Sequence, residues 1–287
     1  MFSGRGTRVP QACVIIKNMK SQISIFIALL FVFPIFSGCR YIVNQVAFNP
    51  DNKNTLHSHH LPHGINEIFL KTDDEVLIQC YYIANPNSQK IVVFFHGNAG
   101  NLSHRIPDLK KISRFGVSVL GVGYRGYGKS QGKPSEKGIY LDGKAALNFV
   151  KNQLGYSLNN IYIFGRSIGT TVAIHTAQKQ NLAGLILVAP LTSGMDMAKA
   201  TGLGSVSFVA GSSFRNIDKV HNISCPVLVI HGTHDQIIPY GMGVEIYNKL
   251  QTKKRMVTIG GAGHNNISSS FSSNYWIPIS DFITGGI

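Results

Sequence analysis

The chain has 287 residues, 44% of them hydrophobic, and carries 27 Lys and Arg against 13 Asp and Glu, a formal net charge of +14. That apolar fraction excludes a disordered polyelectrolyte, and four cysteines with no C-x-x-C pair exclude a disulfide framework or a zinc-finger spacing. The lysines are scattered, with Lys110-Lys111 and Lys253-Lys254 the only adjacent lysine pairs, so no nucleic-acid partner is expected. Attraction to anionic lipid, or an acid-poor surface without a specific partner, accounts for the charge equally well.

At the N-terminus, residues 25–36 are a continuous apolar run of twelve. It is shorter than the roughly 20 residues a membrane-crossing helix needs. With Lys17 and Lys20 ahead of it, it reads as the core of a secretory signal. Phe36-Ser37-Gly38-Cys39 follows and resembles the bacterial lipoprotein signal, in which the cysteine is lipidated. Residues 1–39 are therefore expected to be a lipoprotein-type leader, with Met19 an alternative start, and Cys39 the lipid anchor that holds the protein at a membrane. Arg40 after that cysteine points to the periplasmic face of a bacterial outer membrane; an uncleaved inner-membrane signal anchor and a plain secretory signal are the competing readings. Residues 40–66, including His57, His59, His60 and His63, read as a polar tether rather than a metal site.

From there strands and helices alternate. Residues 75–83 and 91–95 read as strands, taken as an early antiparallel pair, followed by a helix over 106–114 and a strand over 118–123. An amphipathic helix is expected over 136–153, where Ile139, Ala145, Ala146, Phe149, Val150 and Leu154 share a face. Strands over 161–164 and 185–189 flank a helix beginning at Thr170. Residues 191–219 break the pattern with apolar residues among glycines and serines, and are expected to form a small cap. Strands over 227–230 and 256–259 enclose a helix over 240–251. The alternation predicts an α/β fold: one domain over 67–287 with a mostly parallel, doubly wound sheet. Cys80 and Cys225 lie in or beside strands and read as small core residues.

Gly165-Arg166-Ser167-Ile168-Gly169 lies between a strand and a helix, the G-x-S-x-G pattern of a nucleophile elbow. His231-Gly232-Thr233-His234-Asp235 and Gly260-Gly261-Ala262-Gly263-His264 each follow a later strand. Ser167 is then the nucleophile, His264 the base and Asp235 the acid that orients it; Asp196 and Asp218 compete for the last role but follow no strand. The main-chain N–H groups of Ile168 and of Asn98, in the turn His96-Gly97-Asn98-Ala99-Gly100, are expected to form the oxyanion hole. His96 is assigned to shaping that turn and His175 to packing.

These motifs, with Tyr124-Arg125-Gly126-Tyr127-Gly128-Lys129-Ser130, Gly132-Lys133-Pro134-Ser135-Glu136-Lys137 and Pro190-Leu191-Thr192-Ser193-Gly194-Met195, resemble the α/β-hydrolase-domain serine hydrolases that include the eukaryotic protein depalmitoylases. The likeness covers roughly residues 70–285 and implies the α/β-hydrolase fold. It also implies hydrolysis of an acyl ester or thioester through an acyl-serine intermediate, without a cofactor. The N-terminal cysteine cluster of those enzymes is replaced here by the leader, which leaves the substrate open between an acylated protein and a lipid or small ester. A serine peptidase and, from another class, an inactive ligand-binding lipoprotein are the remaining alternatives.

Overall fold

The computed structural model describes residues 43–285 apart from residue 54, so the leader and Cys39 lie outside the described residues. The strands are β1 (Asn66–Lys71), β2 (Leu77–Ile83), β3 (Ile91–Phe95), β4 (Ser118–Val122), β5 (Ile161–Arg166), β6 (Gly184–Val188), β7 (Val227–Gly232) and β8 (Lys254–Ile259). They form one sheet in the order β1-β2-β4-β3-β5-β6-β7-β8. Besides a helical turn at residues 43–47, the helices named below are α1 (Ile106–Ser113), α2 (Glu136–Asn148), α3 (Gly169–Ala177), α4 (Gly194–Ala200), α5 (Tyr240–Lys249) and α6 (Ser272–Thr284).

The central strands are buried at nearly every position because both sheet faces are covered. Side chains alternate across a strand, so Ile91, Val93, Phe95, Ile161 and Ile163 enter one core while Val92, Phe94, Tyr162 and Phe164 enter the other. The first core is closed by apolar residues of α2, α3 and α5, among them Ile139, Val172 and Ile246. The second is closed by α1 and α6 through Leu109, Ile112, Ile279 and Phe282.

One expectation about the sheet and one about a helix are corrected. Residues 75–83 and 91–95 do not pair: β2 runs antiparallel to β1 and β4, whereas β3 lies parallel between β4 and β5. The missing partner is β1, an edge strand whose sequence Asn-Glu-Ile-Phe-Leu-Lys buries only Leu70 and so carries little apolar signal. The helix expected over 136–153 keeps its α form only to Asn148; Phe149–Gln153 is a π-helical turn. The stretch read as a tether also differs. The compact unit starts at Val43, and Phe48 belongs to the core.

The strand order reverses between β3 and β5. β3 leads outward to β4, and the chain then returns to the other side of β3 to form β5. Loops leaving the C-terminal ends of strands on either side of such a switch diverge and leave a crevice. The His96 turn and Ser167 occupy those two ends.

Candidate active site

β5 ends at Arg166 and α3 begins at Gly169, leaving two residues to reverse the chain. Ser167 takes φ 55°, a left-handed state that costs a non-glycine residue about 1–3 kcal/mol. It is held there by its N–H donating to Val188 O at 2.9 Å and its carbonyl accepting from Thr170 Oγ1 at 2.6 Å. The flanking glycines permit the close approach. A Cβ on Gly169 would lie 2.2 Å from Phe95 O, and one on Gly165 would lie 2.6 Å from Gly169 O.

Asp235 and His264 follow β7 and β8. The Asp235 carboxylate accepts the N–H groups of Ile237 (2.9 Å) and Ile238 (2.8 Å) on Oδ1, while Oδ2 accepts from His264 Nδ1 at 2.7 Å. Burial raises the carboxyl pKa, but hydrogen bonds from His231, His264 and Ile238 outweigh it and leave Asp235 well below the usual carboxylate range. An ionised carboxylate can only accept, so the His264 proton sits on Nδ1 and Nε2 presents its lone pair. That Nε2 stands 3.1 Å from Ser167 Oγ. The structure thus brings Ser167, His264 and Asp235 into one chain of hydrogen bonds. The two competing acids are engaged elsewhere: Asp196 accepts from Thr192 and Ser193 at the start of α4, and Asp218 pairs with Arg215.

The turn after β3 lies against the elbow: a Cβ on Gly97 would lie 3.5 Å from Ser167 Cβ. The main-chain N–H groups of Asn98 and Ile168 find no hydrogen-bond partner among the described residues. His96 is buried within the turn. Its Nδ1 donates to Gly97 O at 2.7 Å, and Tyr124 OH donates to His96 O at 2.8 Å. Burial and the neighbouring Arg105 charge push its pKa down to about 3, so it stays neutral and shapes the turn. His175 stacks on Tyr140, with ring centroids 3.8 Å apart.

Sequence reasoning missed two contacts. Arg166 Nη2 donates to His264 O at 3.0 Å, fixing the loop that carries the imidazole. His231, at the end of β7, donates from Nε2 to Ile238 O at 2.9 Å and lies 3.4 Å from Asp235 Oδ2. The first could not be read from spacing because its partners lie in different segments of the chain. His231 is only four residues from Asp235 and seven from Ile238, but nothing in the motif shows that its ring turns back on that segment. Cys80 and Cys225 are buried free thiols, as expected, and burial pushes the Cys225 thiol up to about 12. Among the described residues no cluster of His, Cys, Asp or Glu is arranged to hold a metal ion; His57, His59 and His60 contact one another through their rings.

The cap contains α4 and the 3-10 helix Gly204–Ala210. Leu203, Val206 and Phe208 are exposed on it, Phe208 by 71%, while Phe214 at its end packs edge-on against Phe48. Among the described residues no helix is long and apolar enough to cross a membrane.

Residues 86–218 match the family model described as serine aminopeptidase, S33, a span that takes in the elbow and the His96 turn. The fold matches an esterase of Pyrococcus furiosus with a TM-score of 0.69 at 20% identity, covering 82% of this chain and 96% of that one. The chain is 38% identical over 183 residues to the alpha/beta hydrolase domain-containing protein aho-3 of Caenorhabditis elegans, covering 63% of this chain and 54% of that protein. To human alpha/beta hydrolase domain-containing protein 17B it is 36% identical over 192 residues, covering 66% of each. The chain belongs to the α/β-hydrolase superfamily. The chain thus spans between about half and about two thirds of the length of these curated relatives.

Proposed function

We propose that the protein is a serine hydrolase that cleaves acyl esters or thioesters. The observation that carries this reading is the hydrogen-bonded series from Ser167 Oγ through His264 to an ionised Asp235, built on a left-handed Ser167. Ser167 Oγ attacks the substrate carbonyl while His264 Nε2 takes its proton, and Asp235 stabilises the imidazolium formed. The alkoxide of the tetrahedral intermediate is met by the N–H groups of Asn98 and Ile168, each such donor contributing about 3–4 kcal/mol to the transition state. His264 returns the proton to the departing alcohol or thiol, leaving acyl-Ser167. Water, deprotonated by His264, then releases the acid and restores the serine.

An apolar acyl group is favoured because the cap presents Leu203, Val206 and Phe208 to solvent beside half-buried Met195 and Met197. The depalmitoylase resemblance adds an acylated protein as substrate; a lipid or small ester is the second reading, supported by the exposed, open character of the same cap. Cys39 as lipid anchor of a periplasm-facing outer-membrane lipoprotein belongs to this proposal too. Metabolic labelling with a palmitate analogue that persists in Cys39→Ser would remove the anchor. For the chemistry, a fluorophosphonate probe is expected to label Ser167, and Ser167→Ala should lower turnover about 10⁶-fold. Retention of most turnover would place the nucleophile elsewhere.

A further inference from the structure

The segment entering the domain crosses the turn that carries Asn98. Asn49 N–H donates to the Asn98 side-chain Oδ1 at 2.8 Å, and Tyr127 OH donates to the same oxygen at 2.8 Å. Asn49 N–H also reaches the Tyr127 hydroxyl at 3.2 Å, closing a three-membered ring of contacts. One residue further, Pro50 forms a bridge with Gly100, and Asp51 N–H donates to Gly100 O at 3.3 Å. The Asp51 carbonyl in turn accepts Asn101 Nδ2 at 3.1 Å and Gly128 N–H at 3.1 Å.

The turn is therefore clamped along its length by two segments remote in sequence. One is the stretch over residues 48–51; the other follows β4 and contains Tyr127 and Gly128. Phe48 anchors the first by burying its ring edge-on against Phe214, with centroids 5.9 Å apart. Tyr127 anchors the second: it is buried, its ring packs edge-on against His96 and Tyr124, and burial keeps its phenol protonated and able to donate.

A carboxamide oxygen that accepts two hydrogen bonds from fixed donors cannot rotate freely, and neither can the backbone behind it. We propose that residues 48–51 and Tyr127 form a positioning strap that acts through the Asn98 carboxamide. The strap holds the turn so that the unpaired Asn98 N–H stays available to the developing oxyanion. Its catalytic half rests on the reading of Asn98 and Ile168 as oxyanion donors. Neither Asn49 nor Tyr127 touches the reacting atoms. Their effect is on the geometry of the one that does, and preorganised donors matter most in the transition state.

Tyr127→Phe in the full chain removes one donor and keeps the ring packing. The result expected is a fall in kcat of about 10-fold, the scale of one hydrogen bond, with KM for a short p-nitrophenyl ester within about twofold. Amide hydrogen exchange over residues 96–101 should rise at the same time. Asn98→Ala, which removes the acceptor oxygen of the strap, should lower kcat at least as far as Tyr127→Phe does. In an Asn98→Ala background Tyr127→Phe should add almost nothing, because its route is already cut.

Unchanged exchange over 96–101, or a full Tyr127→Phe effect in the Asn98→Ala background, would overturn the strap. Faster exchange with unchanged kcat would overturn its catalytic half. Full turnover in Ser167→Ala would sink the serine reading alone, since exchange and the mutant cycle still judge the strap.

Discussion

Each side chain of the proposed relay is set by what holds it on its other side. Ser167 is fixed through its own main chain, His264 through Asp235 on its ring and Arg166 on its carbonyl, and Asp235 through two N–H groups of its own loop. Asp235→Asn keeps the volume but lets the imidazole protonate on the wrong nitrogen, and kcat is expected to fall about 10⁴-fold. The same residue links pH to stability. Its folded pKa is depressed, so its contribution is fully present above the unfolded value of about 3.9 and fades as pH falls towards the folded one. Thermal melts should therefore show a larger penalty for Asp235→Asn at pH 7 than at pH 3. A penalty independent of pH would mean that the carboxylate gains nothing from its partners.

At the level of elements, the elbow depends on how closely α3 approaches β3. A Cβ at residue 169 would overlap the Phe95 carbonyl, which is backbone and has no room to move. Gly169→Ala is expected to cost about 1–3 kcal/mol, lowering the melting temperature by roughly 2–10 °C in a domain of this size, and to misplace Ser167. Differential scanning calorimetry beside a fluorophosphonate labelling rate would check both. The elements nearest the chemistry were also those most legible in sequence. β3, β5 and β7 are buried on both faces and run into turns that contain glycine, so the strand ends that carry the His96 turn, Ser167 and Asp235 could be placed from the sequence. β1 was illegible because an edge strand exposed on one side needs few apolar residues. The pairing of β2 with β4 was illegible because register across a sheet is a property of partners, not of a segment. The clamp on Asn98 was missed for the same reason: Asn49 and Tyr127 are 78 residues apart, and neither belongs to a motif.

The molecule as a whole gathers the proposed relay at the ends of strands beside the point where the sheet order reverses, and sets the cap among the loops that follow these strands. With Leu203, Val206 and Phe208 exposed, the cap is the part of the described surface best suited to an apolar chain. Phe208→Ser, at a residue with few contacts to lose, should shift stability by no more than about 0.5 kcal/mol. Turnover of a dodecanoyl ester is expected to fall several-fold further than that of an acetyl ester, as a p-nitrophenyl ester series would reveal. Equal losses on both esters would detach the cap from acyl recognition. Elsewhere the fold is secured without reference to the site. Arg125 joins buried Asp142 to Asp74 beneath the outer strands, a pairing whose disruption typically costs about 3–5 kcal/mol.

The docking of residues 48–51 has a practical corollary for anyone handling this protein. Cargo fused upstream, or a surface holding the N-terminal side, pulls on a segment whose next few peptide groups grip the turn beside Ser167. Cargo fused downstream extends α6, whose buried side chains belong to the core on the sheet's other face. If the proposed hydrolysis holds, immobilising the protein from its two ends should therefore yield two preparations of unequal turnover from the same polypeptide.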